Sequence, residues 1–484
     1  MPHRRAASRL IVAGLLAMAP APLLGQTAPV PPAAAAAAST SDAYYEFLIA
    51  RRLESQGDQN GALAALQRAA TADPASAMIR AEVAAFQLRR NRRDDAEKAA
   101  REAIAIDAEN PDAHRVLGLI FAARADGGGG RGQGAAAQAS ADNARQAIIH
   151  LEKATVSTAS TSDINLFFTL GRLYVRTNDN PKAIQALQRV VALNPGSVQG
   201  RLTLAQAYIA ENNLNAAIAS LEEAAEEDPR VAATLGQYLE QAGRAADAAK
   251  AYTLALESAP MNRDLKFRRA AALLNAQQYA DAATAAAEAQ VEHPDDLRFP
   301  RLRARALSAT GAPARAIEVL EPVSRANPGD AATQFQLAEL YKGANRANDA
   351  ERTVRQLVQL QPSNAEALNY LGYMLAENRK QLDEAVRLVR RALDLDPNNP
   401  AFLDSLGWAY YQQGNHEEAE KYLAPAAERL PKNSVIQDHM GDVLLRRGKV
   451  QEAIAAWTRA LEGDREEIDA TAIQRKIDQA RARR

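Results

Sequence analysis

Cysteine is absent from all 484 residues, which excludes disulfide staples, thiolate metal sites, cysteine nucleophiles and lipid attachment to an N-terminal cysteine. Aromatic residues make up only 5% of a chain that is 47% hydrophobic. The apolar material is therefore mostly Ala, Leu, Ile and Val, which favours close-packed helices over sheets. Neither sign of charge dominates, since 58 basic residues face 59 acidic ones. Nothing marks a dedicated nucleic-acid binder, and no nucleic acid is expected as a partner. Long apolar runs are also missing. The best stretch, Leu10 to Leu24, is interrupted by Pro20 and Pro22 and falls short of the ~20 residues that a membrane-spanning helix needs.

That stretch reads instead as an export signal. Residues 1–9 carry Arg4, Arg5 and Arg9 without an acid, and Leu10 to Met18 follow as a short apolar core, the two parts of a secretory signal peptide. Cleavage near Gly25 is expected. It would remove three Arg and leave 55 basic against 59 acidic residues. Location in the periplasm follows, an uncleaved N-terminal membrane anchor being the alternative. Residues 26–42 are rich in Pro and Ala and read as a tether, extended at its prolines and open to helix in the alanine run.

The remainder is periodic. Proline recurs at 195, 229, 260, 294, 328, 362, 397 and 431, mostly at intervals of 34 or 35. The same ruler aligns Leu117-Gly118, Leu170-Gly171, Leu235-Gly236, Leu371-Gly372, Leu406-Gly407 and Met440-Gly441 at positions 7 and 8 of a 34-residue unit. It also places Ala96, Ala147, Ala183, Ala217, Ala248, Ala316, Ala350, Ala419 and Ala453 at position 20, with Ala385 one place late.

On these residues the chain resembles the tetratricopeptide repeat family, with twelve repeats over 43–465. The resemblance implies an all-α, right-handed superhelical α-solenoid of helix-turn-helix units. In such units small residues at positions 8 and 20 let two helices approach, larger ones at 7, 11 and 24 fill the space beside them, and Pro at position 32 ends the second helix. A helix pair cannot bury its apolar face alone, so neighbours must stack. Repeat 3 carries 19 extra residues with a Gly-rich segment, about 124–143, expected as a surface loop. No Lys-Ser or Lys-Thr follows those glycines, which excludes a phosphate loop. Arg269 and Arg303 take the apolar position 7 of repeats 7 and 8, which should pack least tightly. Residues 466–484 read as a capping helix with Ile468, Ile473 and Ile477 along one side.

Catalytic signatures are missing. The six His are scattered without metal-ligand spacing, and neither GxSxG nor SxxK occurs. No enzyme activity, cofactor or metal is expected. The resemblance does imply a concave groove lined by positions 2, 5, 9, 12 and 13 of each first helix. Those positions give two clusters. One is Arg298, Arg301 and Arg305 in repeat 8, for which a solvated face paired to nearby acids competes with partner binding. The other includes Asn369, Tyr373, Asp404, Trp408 and Tyr411 in repeats 10 and 11, continued by Asp438 in repeat 12. Aromatic and amide surface of this kind suits a peptide, although Trp408 and Tyr411 could instead pack on the adjacent repeat. The family's peptide-carboxylate clamp pairs Lys at position 5 with Asn at position 9, and no repeat here has that pair.

The expected function is a periplasmic protein-interaction scaffold that binds envelope proteins or peptides along the groove, in envelope assembly, secretion or polysaccharide export. It would carry no integral membrane segment after cleavage, with peripheral association with a membrane complex open to it. A carbohydrate- or cell-wall-binding protein and a cytoplasmic scaffold or regulator are the alternatives.

Overall fold

The structure, a computed structural model, describes residues 32–127, 134–156, 162–465 and 468–482. The signal peptide expected at 1–25, the first part of the tether and the glycines at 128–130 lie outside them. Among the described residues all regular structure is helical: 25 α-helices and the short 3₁₀ helix Pro229–Val231. They fall into two compact units, Met1–Pro195 and Gly196–Arg484. The first unit holds four helix pairs, from Pro32–Ser55 with Gln59–Ala72 to Ile164–Arg176 with Asn180–Leu193. The second holds eight, from Val198–Ala210 with Leu214–Glu227 to Ser434–Arg446 with Val450–Glu462, followed by Ala470–Ala482. Each unit is a stack of helical hairpins, the α-solenoid arrangement.

Residue chemistry at fixed repeat positions sets the helix ends. Ser76, Ser197, Asn262, Asp330, Asn364, Asn399 and Asn433 each stand just before a first helix, and each side chain accepts a hydrogen bond from a backbone N–H of the first turn. Such caps satisfy donors that the helix cannot. First helices end on a left-handed residue at position 15, for example Gly243 (φ +73°), Asn212 (φ +57°) and Gly414 (φ +81°), where glycine and asparagine pay the least steric cost. Gln277 and Arg379 hold the same conformation without that advantage. Repeat 10 also inserts a residue in this turn, so its second helix starts at Leu382 behind the left-handed Gln381. That extra residue is why Ala385 arrives one place late.

Packing explains the periodic small residues. Ala62, Ala96, Ala147, Ala183, Ala217, Ala248, Ala282, Ala316, Ala385, Ala419 and Ala453, all serving as position 20, are fully buried. At position 8 a methyl group on Gly171 would lie 2.5 Å from Leu187, on Gly236 2.5 Å from Tyr252, and on Gly407 2.6 Å from Leu423. Those neighbours all occupy position 24. The two bulkiest position-24 residues, Tyr252 and Trp457, both sit against glycine, so volume is conserved across the pair as a close-packed interior requires. In the second unit one apolar cluster runs without a break from Ala270 to Ala480.

Two helix boundaries differ from the sequence reading. The alanine run of the tether is part of the first helix, which begins at Pro32 rather than at 43, because alanine is the strongest helix former. The insertion in repeat 3 lengthens its helices more than its loop: Pro111–Gly127 and Ala135–Ala154 have 17 and 20 residues, against 13 and 14 in repeat 4. Its alanine-rich second half, from Ala135, is helical for the same reason as the tether. The C-terminal helix Ala470–Ala482 buries Ile473 and Ile477 against repeat 12.

Candidate groove site

The groove face of repeats 9 to 12 encloses a cavity of about 710 Å³ walled by Tyr370, Tyr373, Met374, Trp408, Val435, His439 and Ile468, with Glu339, Lys342, Glu377, Asp438 and Asp469 among its polar lining. Helix periodicity assembles it. Tyr370, Tyr373, Met374 and Glu377 occupy one side of Ala365–Glu377 at spacings of three and four, and Trp408 takes the equivalent place on Pro400–Gln412. The two residues just before the C-terminal helix, Ile468 and Asp469, complete the lining.

Trp408 lies in a parallel stack, 4.0 Å from the His439 ring and 4.8 Å from Tyr411. It packs on the adjacent repeat, as one of the two sequence readings has it, and it also borders the cavity. Tyr373 tilts over His439 at 6.4 Å. Tyr411 is not among the residues lining the cavity; its ring lies against Trp408 and His416.

Asp404 is not offered to the groove. It is only 6% exposed and its Oδ1 accepts from His439 Nδ1 at 2.9 Å. Burial alone would push the His439 pKa down, but the Asp404 charge and hydrogen bond, with Asp438 and Asp442 nearby, hold it above the usual value. Asp404 therefore orients His439, and His439 in turn supports Trp408. Asp438 is neutralised by Lys476 of the C-terminal helix, whose Nζ lies 2.8 Å from Asp438 and 2.7 Å from Asp442. Burial opposes the charge on Lys476, but these two carboxylates outweigh it and raise its pKa. Asp442 also accepts from Trp457 Nε1. Asn369, one turn before Tyr373, is not part of the cavity wall, and its buried Oδ1 has no hydrogen-bond partner among the described residues.

The arginine cluster of repeat 8 is built differently. Arg298 clasps Asp296 at 2.7 Å and Asp264 at 2.9 Å and lies 4.7 Å over the Phe267 ring. Arg301 pairs with Asp330 at 3.1 Å. Only Arg305 is exposed without an ion pair among the described residues. Arg298 and Arg301 are thus already engaged by acids of the chain itself.

Sequence reasoning left out His439, Tyr370, Glu339 and Lys476. A signal existed for the first. Asp404 and His439 stand at positions 5 and 6 of successive repeats, so the ruler that found the repeats also brings them side by side. Lys476 lies beyond the last repeat, where the ruler has no reading.

Among the described residues no group of three or more His, Asp or Glu side chains could hold a metal ion, and no helix is long and apolar enough to cross a membrane. Two family profiles, both described as tetratricopeptide repeat, match residues 174–237 and 376–441, and 234–297 and 335–400. They fall on the helix pairs described above. The chain belongs to the tetratricopeptide repeat family. Tetratricopeptide repeats imply a protein–protein interaction scaffold. The TPR repeat-containing protein PA4667 of Pseudomonas aeruginosa is 30% identical over 178 residues, which cover 37% of this chain and 30% of that protein. The match thus spans less than a third of the relative. Among solved structures, yeast Tom70 aligns over 91% of this chain and 96% of its own at 13% identity and a TM-score of 0.43. The APC/C hetero-tetramer Cut9-Hcn1 aligns over 92% and 98% at 13% identity and 0.40. Neither likeness bears on the partner of this chain.

Proposed function

We propose that this protein is an exported, non-catalytic scaffold of the periplasm that holds a partner protein by a peptide segment laid along the first helices of repeats 9 to 12. The observation that carries the reading is the cavity of about 710 Å³, with Trp408 held in its wall by stacking on the buried His439 and Tyr373 tilted against the same ring. Rigid aromatic side chains bind with little loss of rotamer freedom, and they dominate peptide interfaces for that reason. Export rests on the N-terminal Arg-then-apolar segment, and the role in envelope assembly, secretion or polysaccharide export rests on export.

Sugar binding is the weaker reading on geometric grounds. A sugar-stacking tryptophan needs an open ring face, whereas Trp408 is held in a parallel stack with His439 and Tyr411. Crosslinking in native envelopes tests the proposal. Partners recovered with the wild-type chain should be lost with Trp408→Ala combined with Tyr373→Ala, and equal recovery of every partner would remove the groove from the mechanism. N-terminal sequencing of the mature chain tests export independently, because an intact Met1 on a cytoplasmic chain contradicts it.

A further inference from the structure

We infer that the cavity of repeats 9 to 12 receives a basic side chain, arginine or lysine, from the bound segment. This rests on the groove reading above and adds to it the chemistry of the occupant.

The cavity has two kinds of wall. Met374, Val435 and Ile468 provide apolar surface, and Glu339, Glu377, Asp438 and Asp469 provide four carboxylates against the single lining ammonium of Lys342. Some of that charge is taken up inside the chain. Lys342 pairs with Glu377 at 3.2 Å, Lys476 lies behind Asp438, and Arg475 reaches Asp469 only at 4.0 Å. Glu339 has no basic partner among the described residues, and its hydrogen bond comes from the Tyr370 hydroxyl. His439 adds no net charge to the wall, because Asp404 balances it. A surplus of negative charge therefore remains on a partly enclosed surface, where it is less screened than on an open helix.

The shape selects the same occupant. Arginine and lysine carry a long apolar stem beneath a charged head, which matches a cavity with Met374, Val435 and Ile468 beside carboxylates. An acidic side chain would meet like charge, and a purely apolar one would leave Glu339 without a countercharge while stripping water from it. Repeat 8 supplies the internal contrast. There Arg298 and Arg301 are already paired with the protein's own acids, and the charge left over, on Arg305, has the opposite sign.

Selection from a random twelve-residue peptide library on the full chain tests the assignment. Peptides that compete with one another and lose binding to Trp408→Ala should be enriched in Arg or Lys. Replacing the enriched Arg by neutral citrulline should weaken binding about tenfold, and Glu339→Gln with Glu377→Gln in the protein should do the same. Affinity should also fall as salt rises from low to high. Glu222→Gln with Glu223→Gln in repeat 5 is the control and should change binding less than twofold. Groove-dependent peptides without basic enrichment, or basic peptides indifferent to Glu339→Gln with Glu377→Gln, would overturn this inference and leave the groove reading standing. Selection of no peptide that depends on Trp408 would count against both. Circular dichroism of each variant separates lost binding from lost folding.

Discussion

Repeats 7 and 12 have the same fold and almost opposite interiors. In repeat 7 the buried side chains are Ala270, Ala272, Leu274 and the alanines 282, 283, 285, 286 and 289. In repeat 12 they include Ile436, Met440, Val443, Leu444 and the fully buried Trp457, which packs on Gly441. Repeat 7 also carries Arg269 where apolar residues are usual and a strained Gln277 in its turn. Repeat identity is thus compatible with very different amounts of buried apolar surface. Because each repeat leans on its neighbours, a weak unit can persist inside a strong array. Repeat 12, the better filled of the two, is one of those that form the cavity.

The comparison can be broken most forcefully at Trp457. Trp457→Ala should destabilise the second unit by about 3–5 kcal/mol in urea unfolding, whereas the matching residue of repeat 7, Ala286, has no comparable side chain to remove. A loss below about 1 kcal/mol would mean that repeat 12 does not depend on this contact. Next comes Gly441→Ala, where the added methyl group clashes with the indole. It should cost about 1–3 kcal/mol, and Trp457→Leu in the same chain should recover part of the loss.

Acid should separate two histidine contacts by sign. The His439 pKa is raised in the folded chain, so the stabilisation it gains from Asp404, Asp438 and Asp442 is fully present below about pH 6.5 and is lost as pH rises through the folded value. In the first unit His150, whose Nδ1 meets His114 Nδ1 at 2.7 Å, is pushed down to about 4 by burial and by His114, Lys153 and Arg101. Its repeat should lose stability as pH falls from about 6.5 towards 4, because the unfolded chain takes up the proton first. Hydrogen exchange at pH 5 and pH 7.5 should show protection at 434–446 favoured by acid and at 135–154 disfavoured, after correction for intrinsic rates. Asp404→Asn should abolish the first effect alone.

A smaller gain is expected at the turn of repeat 7. Gln277→Gly should stabilise the second unit by about 0.5–1 kcal/mol, since glycine accepts the positive φ that glutamine must be forced into. Smallest of all, Arg305→Ala should shift stability by less than about 0.5 kcal/mol and leave groove-directed partner recovery unchanged. A large loss of partner there would move the site to repeat 8.

The architecture was legible because it depends on residues that recur. A glycine facing a large side chain sixteen places later can be read from one line of sequence, and Gly171 with Leu187 or Gly407 with Leu423 required no knowledge of the rest of the chain. The candidate site was legible only in part. Position rules named Tyr373, Trp408 and Asp438, which line the cavity, but they also named Asp404, Arg298 and Arg301. The rules say which way a side chain points from its own helix and not what waits for it. For Asp404 it was His439 of the next repeat, and for Arg301 it was Asp330. In repeat 3 the ruler located the insertion, but the alanines around the glycines turned most of it into helix.

By itself the sequence determined that this chain is a series of helix pairs, since small residues at fixed intervals leave no other way to bury its alanine- and leucine-rich faces. Tertiary structure decided which groove charges remain available. Charge neutralisation is a contact between repeats about 30 residues apart, and only the stacked arrangement shows that Arg298 and Arg301 are already paired while Glu339 faces the cavity without a base beside it.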